Sequence, residues 1–490
     1  MKTPMRIQYL VLFLSITLFS FKGMTGKVEN NEVIQLGDRR ELFVDYYLID
    51  KLEGIRIVKH TPHDEGPVFY FDKPWEGPFC GYSTIIKDKT IFRVYYRGLP
   101  SAGKDGSNLE TTCIAESKDG IHWEKPELGI YQINGTLKNN VILANEAPAS
   151  HNFCPFLDTN PNIDPEQRYK ALAGEEPGGL VAFVSPDGIH WKKLKDQAVF
   201  KKGIFDSQNV SFWSESEKCY LCYFRSYTGG GYKGFRSVSR TTSADFVNWT
   251  DPVVMTFGDT PSEHLYTQQT SPYFRAPHIY VAIGGRLMPG RQILTEEQAR
   301  KLNVDPGYFK DCSDAYLMTT RGGNIYARTF MEAFIRPGIG LDNWVSRSNY
   351  PVLNVVQTTP EEMSVYTNQD YAQPKAHLHR YSLRVDGFTS ISAPYTGGEM
   401  ITKPFTFSGH ELEINYSTSA VGEIRFEIQD GNGIPVSGFR LEDSQPITGN
   451  EIARVVSWKN NGDLQKMIGQ TVRLRISMKD ADLYSIKFKD

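Results

Sequence analysis

Cysteine is scarce in this chain: six in 490 residues, at Cys80, Cys113, Cys154, Cys219, Cys222 and Cys312. Their spacing has none of the pattern of a disulfide framework. The one close pair, Cys219 and Cys222, lies in the strand-like run 218–224, where side chains three apart face opposite ways, so packing is favoured over redox or zinc chemistry. An excess of one charge is also missing. With Lys+Arg at 54 and Asp+Glu at 57, no electrostatic grip on nucleic acid or anionic lipid is expected. Strong helical periodicity is rare. No phosphate loop, dinucleotide fingerprint, nucleophile elbow or metal-ligand spacing appears, so neither metal nor cofactor is expected. After the amino terminus no apolar run approaches the ~20 residues needed to span a bilayer.

At the amino terminus Lys2 and Arg6 precede an apolar run from Tyr9 to Phe19, and Gly23 and Gly26 follow. That order reads as a secretory signal peptide over residues 1–26, too short for a membrane anchor. No cysteine sits near its end, so lipid attachment is not expected. Export to the periplasm or beyond follows, with no membrane span in the processed chain.

What is abundant is glycine (42) and aromatic side chains (12%), a mixture that suits short strands joined by tight turns. A weak internal repeat orders them. Ser117-Lys-Asp-Gly-Ile-His-Trp123 returns as Ser185-Pro-Asp-Gly-Ile-His-Trp191, and more loosely as Ser243-Ala-Asp-Phe-Val-Asn-Trp249, Thr320-Arg-Gly-Gly-Asn-Ile-Tyr326 and Arg384-Val-Asp-Gly-Phe388. Each copy follows a strand-like run, with another strand pair upstream. Four strands per unit make a propeller blade, and five copies make five blades. The fold expected is all-β: a five-bladed β-propeller over 27–394, with Glu41–Ile49 lending the strand that closes the ring. After Pro394 the repeat stops, and runs such as 423–428 and 472–476 alternate like strands with one buried face. Residues 395–490 are therefore expected to form a separate C-terminal β-sandwich.

Blade topology restricts where chemistry can sit. Residues just before each innermost strand gather at the mouth of the central tunnel. They include Trp75 and Glu76, His151 and Asn152, Asp206, Glu263 and His264, and Glu361 with Glu362. Loops between second and third strands overhang that mouth. Two are glycine-rich, and the fourth is a long insertion from Met288 to Asp314, with Arg286 at its root, Arg291, Asp311, Asp314 and a capping-box helix start at Thr295–Gln298. A carboxylate-rich funnel suits glycosidic hydrolysis, in which one carboxylic acid protonates the leaving oxygen and one carboxylate activates water or attacks. Trp75, Tyr82, Tyr266 and Tyr308 are candidates for stacking on sugar faces. The substrate class expected is an oligosaccharide or polysaccharide.

The repeat, the funnel and the trailing domain together resemble the five-bladed propeller glycoside hydrolases, the furanosidase-like group similar to families 32 and 43. Segments 115–126, 156–161 and 205–210 are similar to a branch akin to family 32. The resemblance implies a base or nucleophile Asp, an orienting Asp and an acid Glu on successive blades. By position Asp206 takes the first role and Glu263 the last, with Glu76 as a further candidate. The Asn-Asp-Pro-Asn start of invertases is absent, and blade two offers His151-Asn152 where an Asp is expected. The Asp-Gly turn also resembles the Asp-box of sialidases, whose arginine cluster and tyrosine nucleophile the sequence does not place. Two alternatives stay open: a phosphorylase holding phosphate on Arg286, Arg291 and His264, and a glycan-binding propeller without catalysis.

Overall fold

The computed structural model describes residues 33–459 and 464–490. The expected signal peptide lies outside them, and among the described residues no helix is long and apolar enough to cross a membrane.

Five antiparallel sheets form the propeller, the architecture the resemblance implied. Blade one runs Gly81–Asp88, Ile91–Gly98 and Thr111–Ser117, its outer edge shared by Trp123–Glu124 and Val141–Leu143. Blade two runs Cys154–Leu157, Tyr169–Ala173, Val181–Ser185 and Lys192–Lys193. Blade three runs Val210–Ser214, Cys219–Tyr227, Arg236–Ser243 and Val253–Val254. Blade four has Thr270–Tyr273, Ala276–Met288 and Cys312–Thr320. Blade five begins with a broken inner strand, Tyr350–Pro351 and Val356–Gln357, followed by Glu362–Gln369 and His377–Arg384.

The repeat that counts the blades is a self-capped turn. The Ser117 hydroxyl accepts the Gly120 N–H at 2.8 Å, and Asp119 Oδ1 accepts the N–H groups of Ile121 and His122, each at 2.8 Å. Trp123 closes the turn by donating its indole N–H to the Gly120 carbonyl at 3.0 Å. Blade two repeats this with Ser185, Asp187 and Trp191. Gly188 sits at φ 77°, where a Cβ would also lie 2.5 Å from the Tyr95 hydroxyl, so the position demands glycine.

The strand that closes the ring is not the one expected. His63–Tyr70 pairs antiparallel with His377–Arg384 and completes blade five. The segment 41–49 instead lies between two bodies. Leu42 and Val44 bury against blades four and five, whereas Phe43, Leu48 and Ile49 enter the core of the C-terminal module. A segment apolar on both faces cannot serve as an outer edge strand.

That module joins both ends of the chain. Val472–Lys489 and Glu411–Asp430 form its spine, pairing along nearly their whole length. Four amino-terminal strands add to it: Ile34–Gly37 beside Phe405–Phe407, Arg40–Leu42 beside 485–487, Ile49–Glu53 beside Gly398–Thr402, and Arg56–Lys59 beside Thr389–Ala393. Hydrogen bonding runs through all ten strands. The register shifts between Thr418 and Glu423, and residues on both sides of the shift, such as Ile414 and Phe426, share one apolar core. The C-terminal strands thus share a single ten-stranded sheet with the amino-terminal ones, and the propeller is an excursion between the first and last strands of that sheet.

The insertion of blade four carries the expected helix, Glu296–Lys301, with the capping box formed between Thr295 and Gln298. All six cysteines are free thiols.

Candidate active site

Three of the expected lead-ins meet at the mouth. They bring His151, Asp206 and Tyr266 together with Tyr82 and, from blade five, Arg347. The ends of the second strands add Arg97 and Arg225, and the overhanging loops add Asp105, Glu110 and Glu175.

One half of the mouth is organised around His151. An Arg97 Nη1 lies 3.1 Å from His151 Nδ1, 3.4 Å from Asp105 Oδ1 and 3.5 Å from Glu110 Oε1. Guanidinium can only donate, so Nδ1 is the acceptor and the imidazole proton sits on Nε2. Nε2 faces Glu175 Oε1 at 3.3 Å. Glu110 Oε1 lies 2.8 Å from the same Nδ1. The electrostatics agree. Burial, with Asp105 adding to it and Arg97 opposing, pushes Glu110 up to about 7. Burial, and then Glu110, Asp206, Glu176 and Asp105, push Glu175 up to about 7. Burial and Arg97 push His151 down to about 3, so it is neutral at physiological pH. Asp105, Glu110 and His151 have the spacing to share a cation, but Arg97 already occupies the space between them.

The other half is organised around Asp206. Arg225 donates to Asp206 Oδ1 at 2.6 Å and to the Tyr266 carbonyl at 2.9 Å. The guanidinium is buried, whereas 39% of the Asp206 side chain is exposed to the funnel. Asn152 fixes the backbone on both sides, donating to the carbonyls of Phe205 (2.5 Å) and Ser207 (3.1 Å), and it also holds Gly174 beside Glu175. Asn152 is thus a positioning residue for both carboxylates. Three guanidiniums, of Arg225, Arg236 and Arg347, lie 4.4, 5.2 and 5.6 Å from the Tyr266 ring centroid. Burial would raise that phenol, but Arg347, Arg225 and Arg236 outweigh it and hold it below its ordinary value. An arginine cluster about a tyrosine, which the sequence did not place, is present at the mouth.

Several expected site residues belong elsewhere. Glu76 is fully buried, accepting from Tyr96 and Lys125, each at 2.6 Å, and Trp75 is a core residue bonded to Asn140 at 2.8 Å. Neither is placed to meet a sugar. Glu263 takes Arg286 at 2.6 Å and Arg328 at 3.0 Å, and it lines a lateral cavity with Met255 and Phe257 that Asp206 does not reach. Both its oxygens are occupied by guanidiniums, which leaves it no position from which to deliver a proton. Arg286 is fully engaged by Glu263 and Asp314, Arg291 is exposed on the insertion, and His264 accepts a backbone N–H from Arg236. The expected phosphate-holding set is therefore not assembled. Asp311 accepts from Gly290 and orders the insertion. Glu362 begins the second strand of blade five and pairs with Arg380, so it stands at the end of the blade away from the mouth. Its misplacement follows from the broken inner strand, which shifted the count by one strand. Asp158, in the family-like segment 156–161, is neutralised by Lys170 at 2.6 Å.

Sequence reasoning missed Asp105, Glu110, Glu175 and Arg347. The available signal was their position: three lie on loops between second and third strands, and Arg347 immediately precedes an inner strand.

No protein-family model and no curated protein matches the chain. Among solved structures it is similar to one described as a glycoside hydrolase, at 9% identity and a TM-score of 0.44, over 66% of this chain and 92% of that one. It is similar to a family 43 arabinoxylan arabinofuranohydrolase from Bacillus subtilis, at 11% identity and a TM-score of 0.40, over 86% of this chain and 97% of that one. A third likeness is to a structure from the GH130 family of mannoside phosphorylases and hydrolases, at 16% identity and a TM-score of 0.38, over 70% of this chain and 96% of that one.

Proposed function

We propose that the protein is an exported glycoside hydrolase that cleaves oligosaccharides of an extracellular polysaccharide at the funnel mouth, with Glu175 as acid and Asp206 as base or nucleophile. The observation that carries this is the divergence of two neighbouring carboxyls. Glu175 keeps its proton to about 7, while Asp206 is ion-paired with a buried arginine and open to the funnel. Two carboxyls in such unlike surroundings can divide acid and base work. Glu175 gives its proton to the leaving oxygen as the glycosidic bond breaks. Asp206 either takes a proton from the attacking water or attacks the anomeric carbon itself. The His151 Nε2 proton then stabilises the Glu175 carboxylate that remains.

Reducing-sugar release from a polysaccharide panel tests the activity. Asp206→Asn and Glu175→Gln should each lower turnover on the order of 10²–10⁴-fold with unchanged thermal unfolding. On an aryl glycoside whose leaving group needs no protonation, Glu175→Gln should recover and Asp206→Asn should not. If both variants turn over like wild type, the assignment is wrong. If the wild type cleaves nothing while binding glycans, the propeller is a binding module.

A further inference from the structure

The floor of the funnel is a cavity of about 20 Å³ lined by Tyr82, Arg97, Tyr266, Arg347, Tyr350 and Tyr371. Arg97 and Arg225 beside it are matched by acids. Arg347 is not: among the described residues it makes no hydrogen bond and no ion pair, and it rests 5.6 and 5.3 Å from the ring centroids of Tyr266 and Tyr308. A guanidinium carries five N–H donors, and these have no protein acceptor. In the same cavity the Tyr350 hydroxyl is buried, in a residue only 6% exposed, and likewise has no partner. Arg347 also holds φ at 62°, in the left-handed region that a non-glycine residue occupies at a cost. Among the described residues lining this small space, Arg347 is thus an unpaired guanidinium beside an unsatisfied hydroxyl, while Arg236, likewise without an acid, lies outside the lining on the lateral cavity with Glu263.

We infer that this cavity receives the carboxylate of an acidic sugar, a uronic-acid unit of the substrate. One carboxylate matches one unit of charge, and the guanidinium fork fits its two oxygens. Tyr350 offers the accompanying O–H. Tyr371, whose oxygen accepts from Arg97 Nη2 at 3.2 Å, keeps its own proton to give. The volume suits a group little larger than a water molecule, so the acid group enters and the sugar ring stays above it, beside Asp206 and Glu175. The orientation of that ring rests on the hydrolase reading; the binding of the acid does not.

Isothermal titration with D-glucuronate and D-galacturonate, their neutral counterparts D-glucose and D-galactose, and inorganic phosphate tests this. In wild type at least one uronate should bind tenfold or more tightly than its neutral counterpart. Arg347→Gln should reduce that preference to under twofold, with Arg347→Lys between. Should Arg347→Gln not fold, Tyr350→Phe, which removes only the unpartnered hydroxyl, should weaken the same preference at least threefold. No uronate preference in wild type, a preference that survives the variants, or binding of phosphate alone overturns the proposal. Arg347-dependent uronate binding in a protein that hydrolyses nothing upholds this subsite and overturns the hydrolase reading. Hydrolysis confined to neutral glycans does the reverse.

Discussion

Two buried clusters of charge in this protein are built on opposite plans. At the seam between propeller and C-terminal module, each ion meets its complement. Glu41 faces Arg321 and, at 3.3 Å, His278; Asp45 takes Arg321 at 3.0 Å. Asp386 lies 3.2 Å from Arg275 and 3.6 Å from Arg40, whose other partner is Glu413 at 2.5 Å. Tyr273 and Asn415 fill the remaining sites on Asp386. At the funnel mouth the balance is left open: among the described residues Arg347 has no counterion, Glu110 and Glu175 are pushed up to about 7, and Asp206 has one buried arginine partner and an exposed side. Deeply buried ions occur in both places, Glu110 and Arg225 at the mouth as well as Asp386 at the seam, so burial alone does not tell the two clusters apart. What separates them is whether the protein supplies the complement.

The strongest break of this contrast is at the seam. Asp386→Ala leaves Arg40 and Arg275 without a shared partner and should cost about 3–5 kcal/mol of stability, the range for breaking a buried pair. Chemical denaturation measures it; a cost below about 1 kcal/mol would place the seam on the same footing as the mouth.

The next effect is at the mouth and depends on pH. The folded protein holds the Glu175 carboxyl from its ordinary 4.5 up to about 7, so between those values the native state binds more protons than the unfolded chain. Stability therefore falls as pH rises through that window. Glu175→Gln should remove this contribution, so its melting temperature should gain on wild type between pH 4.5 and 7. Glu110, also at about 7, leaves part of the slope in place. His151, depressed to about 3 from 6.5, acts the other way, and its contribution is lost as pH falls. Melting curves that run parallel at every pH would show that the Glu175 proton is not held by the fold.

The smallest effect sharpens the comparison by its absence. Asp311→Asn keeps the acceptor for the Gly290 N–H and should change stability by no more than about 0.5 kcal/mol, as at an ordinary surface site. Turnover should stay at the wild-type level; a loss comparable to that of Asp206→Asn would bring the insertion into the chemistry.

Local features were the legible ones. The Asp-Gly turns could be counted because Ser117, Asp119 and Trp123 satisfy one another within seven residues. Asp206, His151 and Tyr266 could be placed because a lead-in to an inner strand must point to the axis. Glu76 and Glu263 looked equivalent to Asp206 because their neutralising cations are distant in sequence: Lys125 for one, Arg286 and Arg328 for the other. Glu175 and Arg347 carried no motif, since their surroundings are made by neighbours on other blades. The amino-terminal strands were misassigned for the same reason, their partners lying more than 300 residues away.

The clasp of the two chain ends has a consequence for biosynthesis. Arg40 pairs with Lys487, so the strand Arg40–Leu42 finds its place only when nearly the last strand has been made. Arg56–Lys59 waits for Thr389–Ala393, Ile49–Glu53 for Gly398–Thr402 and Ile34–Gly37 for Phe405–Phe407, and until these are made the strands present open edges and apolar faces, the features that invite aggregation. The ring can close beforehand, because His63–Tyr70 and His377–Arg384 both precede the final hundred residues. A chain stopped at residue 394 would thus carry a finished ring and a set of unclaimed strands. Removing the C-terminal module leaves a sticky remnant, and a soluble isolated propeller would have to begin near residue 60.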